Sequence, residues 1–280
     1  RCKDGIALSA KTVLRLGVAL LGVRISFDMA ADLGWQTVAL VLGGVVATIA
    51  FGLAVSRFFG YRVRFAFLSA GSVAICGASA ALAISAILPK DDRSEERLVF
   101  TVVGVTLLST LAMIIYPILA EMLSLDASQA GVFFGATIHD VAHVVGAGFS
   151  ISTETGEVAT VVKLIRVAML APVILIASLL VRHYADAVQS ADRPAIVPMF
   201  IIAFVALVAR ISFGGIPGAV IEDTSEVSRW ALLTAIAAVG LKTSLKDVMQ
   251  VGPAAISLLV LQTVFIAVFT LAGILWLSAQ

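Results

Sequence analysis

Residues 130–149 read AGVFFGATIHDVAHVVGAGF, and residues 70–81 read AGSVAICGASAA. Both lie in apolar runs, yet small residues fill their centres, and the first carries His139, Asp140 and His143. Glycine leaves the helical conformation easily. Inside lipid, broken backbone is tolerated only where protein or a cavity satisfies it. The two stretches therefore predict interrupted helices at residues 70–80 and 135–146, with their breaks facing each other near the membrane midplane.

The rest of the chain fits that setting. Of its 280 residues, 60% are hydrophobic and 13% are charged, against about 25% charged in soluble proteins. Apolar runs recur that match a hydrocarbon core of about 30 Å. The reading is an all-α polytopic membrane protein, a single domain over residues 1–280, with spans at 35–59, 65–88, 98–123 (Pro117 marking a kink or stop), 130–149, 158–181, 197–213, 230–241 and 251–277. The run at 12–23, carrying Arg15, is a weak span. Residues 182–196 and 214–229 are polar connections. A net charge of +1 leaves no basic field for nucleic acid. Cys2 and Cys76 suggest neither a disulfide nor a metal pair, and no cofactor is implied. Arg1 in place of Met points to a trimmed or processed start.

Orientation follows from Lys and Arg, which are retained on the cytoplasmic side. If every element spans, 10 fall inside and 6 outside; if the two small-residue elements dip in and return, the count is 13 against 3. Re-entrance fits the rule better, and both arrangements place the N-terminus in the cytoplasm. Residues 18–34 also match residues 236–252 without a gap, pairing Gly22 with Gly240 and Arg24 with Lys242. Both topologies make those copies inverted. Inverted halves with interrupted helices are a transporter architecture.

Of the 18 acidic residues, Asp140 alone lies within an apolar segment. A charge at the bilayer centre costs about 2.5–3.5 kcal/mol and needs a cavity or a partner. His139, Asp140 and His143 form a candidate ion-coupling group for a proton or sodium ion, since histidine titrates near neutrality; the alternative is that they cap a helix break. HDVAH lacks the glutamate of a zinc HExxH motif, so no metal site is read. Lys163 and Arg166 stand one turn apart inside a span. They suit an oxyanion, or an internal pairing with Asp140 or snorkelling past Glu154 and Glu157. Gly71 and Gly77 would free backbone amides, and Ser72 and Ser79 hydroxyls, to face a ligand beside Cys76; otherwise these small residues only pack helices closely. The candidate substrate set is thus Ser72, Cys76, Gly77, Ser79, His139, Lys163 and Arg166.

The blocks AICGASA (74–80), GATIHDVAHVVGAG (135–148), VVKLIRV (161–167), LLGVRISF (20–27) and VGLKTSL (239–245) resemble the bacterial sulfate exporter family of inner-membrane proteins. The likeness covers essentially the whole chain. It implies further N-terminal helices before this segment, and glutamine is common in the family where this chain has His143. At clan level it is similar to cation:proton antiporters and bile-acid-type symporters, which implies inverted repeats with crossed, broken helices.

The expectation is a secondary active transporter of a small anion, such as sulfate, sulfite or a sulfonate, coupled to protons or sodium in the bacterial inner membrane. An intramembrane enzyme would need a nucleophile with its base or a complete metal site. A passive channel would show polar stripes on several helices. Homo-oligomerisation is left open.

Overall fold

The computed structural model of the chain describes residues 8, 12–21, 23, 31, 33–89, 91–184, 199–213, 217–242 and 253–279. Among these the regular elements are all helical: α1 (Leu14–Leu21), α2 (Gly34–Val55), α3 (Val63–Ala74), α4 (Ala78–Ile87), α5 (Ser94–Met122), α6 (Ala127–Thr137), α7 (Val141–Ile151), α8 (Thr153–Ala168), α9 (Leu170–Tyr184), α10 (Met199–Ser212), α11 (Gly218–Lys242) and α12 (Pro253–Ser278). Four stretches are long and apolar enough to cross a membrane: 34–59, 96–122, 153–179 and 254–278.

Both small-residue elements are interrupted, at residues 75–77 and 138–140. Gly77 sits at φ 62°, ψ −122°, a conformation that a side chain disfavours. After each break the chain turns back. Laid end to end, α3 and α4 would span about 33 Å, yet Arg64 at the start of α3 hydrogen-bonds Asp91, just beyond α4, at 3.2 Å. Gly71 also lies directly against Ile84 of α4. The second pair folds back in the same way. A methyl group on Gly131 of α6 or on Gly148 of α7 would stand 3.0 or 3.2 Å from one and the same oxygen, the carbonyl of Thr155. Both elements are therefore hairpins. The crossed arrangement implied by the family resemblance is not what forms; the re-entrant one is.

The bases of the two hairpins lie at opposite ends of α5, which is 29 residues and so about 43 Å long and carries the chain from one base to the other. It packs on both α4 and α7. One end carries Arg57, Arg62, Arg64, Arg93 and Arg97 together with Asp91, Asp92 and Glu96. The other carries Glu121, Asp126, Glu154 and Glu157, with no Lys or Arg in residues 121–129 or 150–157. The capping box of Asp126 and Gln129 starts α6 at that acidic end.

Around the hairpins, α2 and α12 pack antiparallel: Phe51 stacks on Phe265 with centroids 4.0 Å apart, and Gly273 takes Leu40 against its backbone. Helix α8 lies against both arms of the second hairpin, through Gly131, Gly135, Gly148 and Gly156. Helix α1 packs with α10 and α11, where the Ser228 hydroxyl donates to the Gly17 carbonyl at 2.7 Å.

The span expected over 158–181 is present as the apolar stretch 153–179, with one turn residue, Met169, between α8 and α9. Two readings change. Helix α5 continues through Pro117 to Met122. Residues 218–229, read as a polar connection, are helical because their exposed charges lie along α11. Most of the matched repeat at 18–34 and 236–252 lies outside the described residues.

Candidate functional site

The two hairpin tips meet. A methyl group on Gly77 would stand 3.4 Å from the Cβ of His139 and 3.5 Å from Val105. Each outgoing arm, α3 or α6, ends in carbonyl groups with no partner in their own helix. In lipid such groups need another donor. Helix α8 supplies it. Lys163 Nζ donates to the carbonyls of Ile75 and Ile138, both at 2.9 Å. Arg166 donates to Ala74 (2.9 Å), Val73 (2.8 Å), Ile138 (3.2 Å) and Gly135 (3.3 Å). Both side chains have zero exposure. They place positive charge at the negative ends of two helix dipoles. Neither alternative weighed from the sequence, an ion pair with Asp140 or a snorkelling cation, describes this geometry.

The returning arms begin at the same junction. Helix α4 starts at Gly77 without a side-chain cap. Helix α7 is capped by Asp140, whose Oδ1 accepts the Ala142 amide at 2.8 Å. Asp140 is half-buried, and Ser79 on the first turn of α4 is exposed. Cys76 is buried and unpaired by disulfide. The Ser72 hydroxyl is buried and turned back onto the Leu68 carbonyl, so its donor faces its own helix and not a ligand.

Hydrogen-bond logic assigns both histidine tautomers. The Thr263 hydroxyl donates to the Leu259 carbonyl at 2.8 Å, so it accepts the Nε2–H of His139 at 3.0 Å. His139 Nδ1, fully buried, has no hydrogen-bond partner among the described residues. The Thr110 hydroxyl donates to the Thr106 carbonyl and accepts Nε2–H of His143 at 3.3 Å. His143 Nδ1 is then the acceptor for the Ser109 hydroxyl at 2.9 Å. Ser109 Oγ in turn accepts the backbone N–H of Asp140 at 2.9 Å.

Ser109, Thr110, Gln262 and Thr263 escaped the sequence reading. Hydroxyls bonding one turn back are ordinary in apolar helices, so only Gln262, a lone amide within a span, gave a signal. Its Nε2 reaches Ser69 at 3.2 Å, and its Oε1 has no partner among the described residues. No group of three or more His, Cys, Asp or Glu side chains arranged for a metal ion occurs among the described residues.

Long apolar helices enclosing two opposed hairpins define a polytopic all-α membrane protein. The chain belongs to the family described as Conserved hypothetical protein 698, which matches residues 1–261. It is 58% identical to UPF0324 membrane protein TauZ of Paracoccus pantotrophus, covering 98% of this chain and 81% of that one. It is 56% identical to UPF0324 membrane protein RB0971 of Rhizobium meliloti, covering 99% and 81%, and 50% identical to UPF0324 membrane protein CT0845 of Chlorobaculum tepidum, covering 99% and 78%. No solved structure matches the chain.

Proposed function

We propose that this protein is a secondary active transporter of a small anion, which binds where the two hairpin tips meet and is released to either side by alternating access. The observation that carries this reading is the pairing of oppositely directed hairpins around two fully buried cations. Lys163 and Arg166 are two basic side chains buried at the junction against the single carboxyl group of Asp140, an excess of basic over acidic groups that an anion would complement. The uncapped start of α4 leaves unspent backbone donors there, and the unpartnered Nδ1 of His139 beside Gly77, a lone pair in the tautomer present, becomes a donor to an anion when it takes up a proton. Two hairpins reaching inward from opposite faces give each face its own gate.

Lys163 and Arg166 act at one remove in this reading. They hold the tips and supply charge, while backbone amides, the exposed Ser79 and, once protonated at Nδ1, His139 contact the solute. The resemblance to sulfate exporters makes sulfate, sulfite or a sulfonate the substrate class. Asp140 and the adjoining histidines carry the coupling ion. The Arg-bearing end is cytoplasmic by the excess of Arg, which suits a bacterial inner membrane.

The test is uptake into proteoliposomes, screened across sulfur oxyanions under imposed proton and sodium gradients. Parent protein should accumulate at least one anion under one of the gradients. Asp140→Asn, which keeps shape but cannot exchange charge, should lose accumulation and retain exchange of substrate. Accumulation by Asp140→Asn equal to the parent would remove the coupling role. No anion uptake by folded parent under any gradient would remove the transport role.

A further inference from the structure

The chain of contacts from Asp140 through Ser109 to His143 has a direction, and one proton reverses it. In the arrangement present, Ser109 Oγ accepts from the Asp140 amide and gives its own hydrogen to Nδ1 of His143. When His143 takes up a proton, it does so at Nδ1, its one free lone pair, because Nε2–H is already committed to Thr110. Nδ1–H then becomes a donor to Ser109. Both lone pairs of Ser109 Oγ are filled, one by the Asp140 amide and one by the imidazolium. Its hydroxyl hydrogen must find a new acceptor: either the carbonyl one turn back on α5, as Thr106 and Thr110 use, or the carboxylate of Asp140, whose backbone N–H Ser109 already holds, and of these the charged carboxylate is the stronger acceptor. That carboxylate currently caps α7 through Ala142. Drawing it toward Ser109 loosens the first turn of α7, which is the returning arm of the second hairpin.

We propose that Ser109 is the positioning residue that converts proton uptake at His143 into a change at the tip of the second hairpin, and that the coupling ion is therefore a proton. This rests on the transport reading above. The groups facing His143 leave the assignment to this network. Helix α5 brings the hydroxyls of Ser109 and Thr110 and no charge. From the start of α7 comes Asp140, and from the tip just before it His139, whose Nε2–H is held by Thr263; α6, which also packs on α7, brings no titratable side chain. Helix α8 brings Lys163 and Arg166, whose donors are directed to the tip carbonyls. On α11, which also packs against α7, Glu222, Asp223 and Glu226 are exposed. The whole event adds one proton and otherwise only re-routes hydrogen bonds.

Two measurements on full-length chain test it, using Ser109→Ala and, because a hydroxyl is kept, Ser109→Thr. The first is 15N NMR of histidine-labelled protein in nanodiscs, which reads the His143 tautomer without any substrate. Parent and Ser109→Thr should hold the Nε2–H form at neutral pH, and Ser109→Ala should show mixed tautomers. The second is the pH profile of proton-driven uptake in proteoliposomes. Its midpoint should move by about half a pH unit or more in Ser109→Ala, the scale expected for one hydrogen bond, and stay put in Ser109→Thr. An unchanged tautomer and midpoint in Ser109→Ala, with only a lower rate, would make Ser109 a packing residue and overturn the proposal. Uptake by the parent that follows a sodium gradient alone would overturn the proton assignment. Absence of any uptake by the parent would instead defeat the transport reading, and the NMR result alone would then decide the Ser109 link.

Discussion

Replacing Arg166 with Met keeps volume and apolar character at the centre of α8 but removes every donor of the guanidinium. The carbonyls of Val73, Ala74 and Gly135 lose the Arg166 bonds that hold them, whereas Ile138 keeps Lys163. A buried carbonyl without a partner costs roughly 1–2 kcal/mol, so the three together should destabilise the protein by about 3–6 kcal/mol. For a chain of this size that is a fall of roughly 10 °C in the apparent melting temperature. Because unfolding of such a protein is often irreversible, parent and variant must be heated at one scan rate in one detergent. Arg166→Lys should recover part of the loss, since an ammonium keeps the charge and three of the five donors. If Arg166→Met melts within about 1–2 °C of the parent and only its anion affinity falls, the guanidinium is a ligand group and the tip-holding argument is wrong.

Gly77→Ala should destabilise by about 1–3 kcal/mol, because its backbone conformation is nearly closed to residues with a side chain; Gly60→Ala, in ordinary left-handed geometry with nothing within 4 Å, should cost less in the same melt. At the base of the first hairpin, Arg97 and then Ser94 hold the Asp91 carboxyl down at about 2, below its ordinary value of about 3.9. The clamp to Arg64 and Arg97 is therefore complete above about pH 4 and lost as pH falls through about 2. The Asp91 carboxyl, followed by 13C NMR, should titrate with a midpoint of about 2 in the parent, and Arg97→Gln should move that midpoint up toward the ordinary value of about 3.9.

The interruptions were legible because Gly, Ala and Ser collect where the backbone breaks, and because a lone aspartate between two histidines has no business in a lipid-facing helix. The pairing of Lys163 and Arg166 on one face was equally plain. Their targets were not, since they bond backbone carbonyls, which no side-chain pattern reveals. Nor can local composition separate a hairpin from a crossing: AGSVAICGASAA serves either. Arginine counting favoured the hairpin, and Arg64 meeting Asp91 across 27 residues shows it. Ser109 and Thr263 were invisible for a further reason. Their partners, His143 and His139, lie 34 and 124 residues away, and each sits in an apolar helix where a hydroxyl is unremarkable.

Side-specific thiol labelling tests the opposed hairpins most directly. In a background with Cys2 and Cys76 replaced by alanine, single cysteines at Arg62, Asp92 and Ser128, all exposed in the structure, are probed in right-side-out and inverted vesicles with an impermeant maleimide. Arg62→Cys and Asp92→Cys should react from the same side, and Ser128→Cys from the other. Labelling of positions 62 and 92 from opposite sides would mean that the first hairpin crosses the membrane, and the account of two tips meeting between the faces would fail.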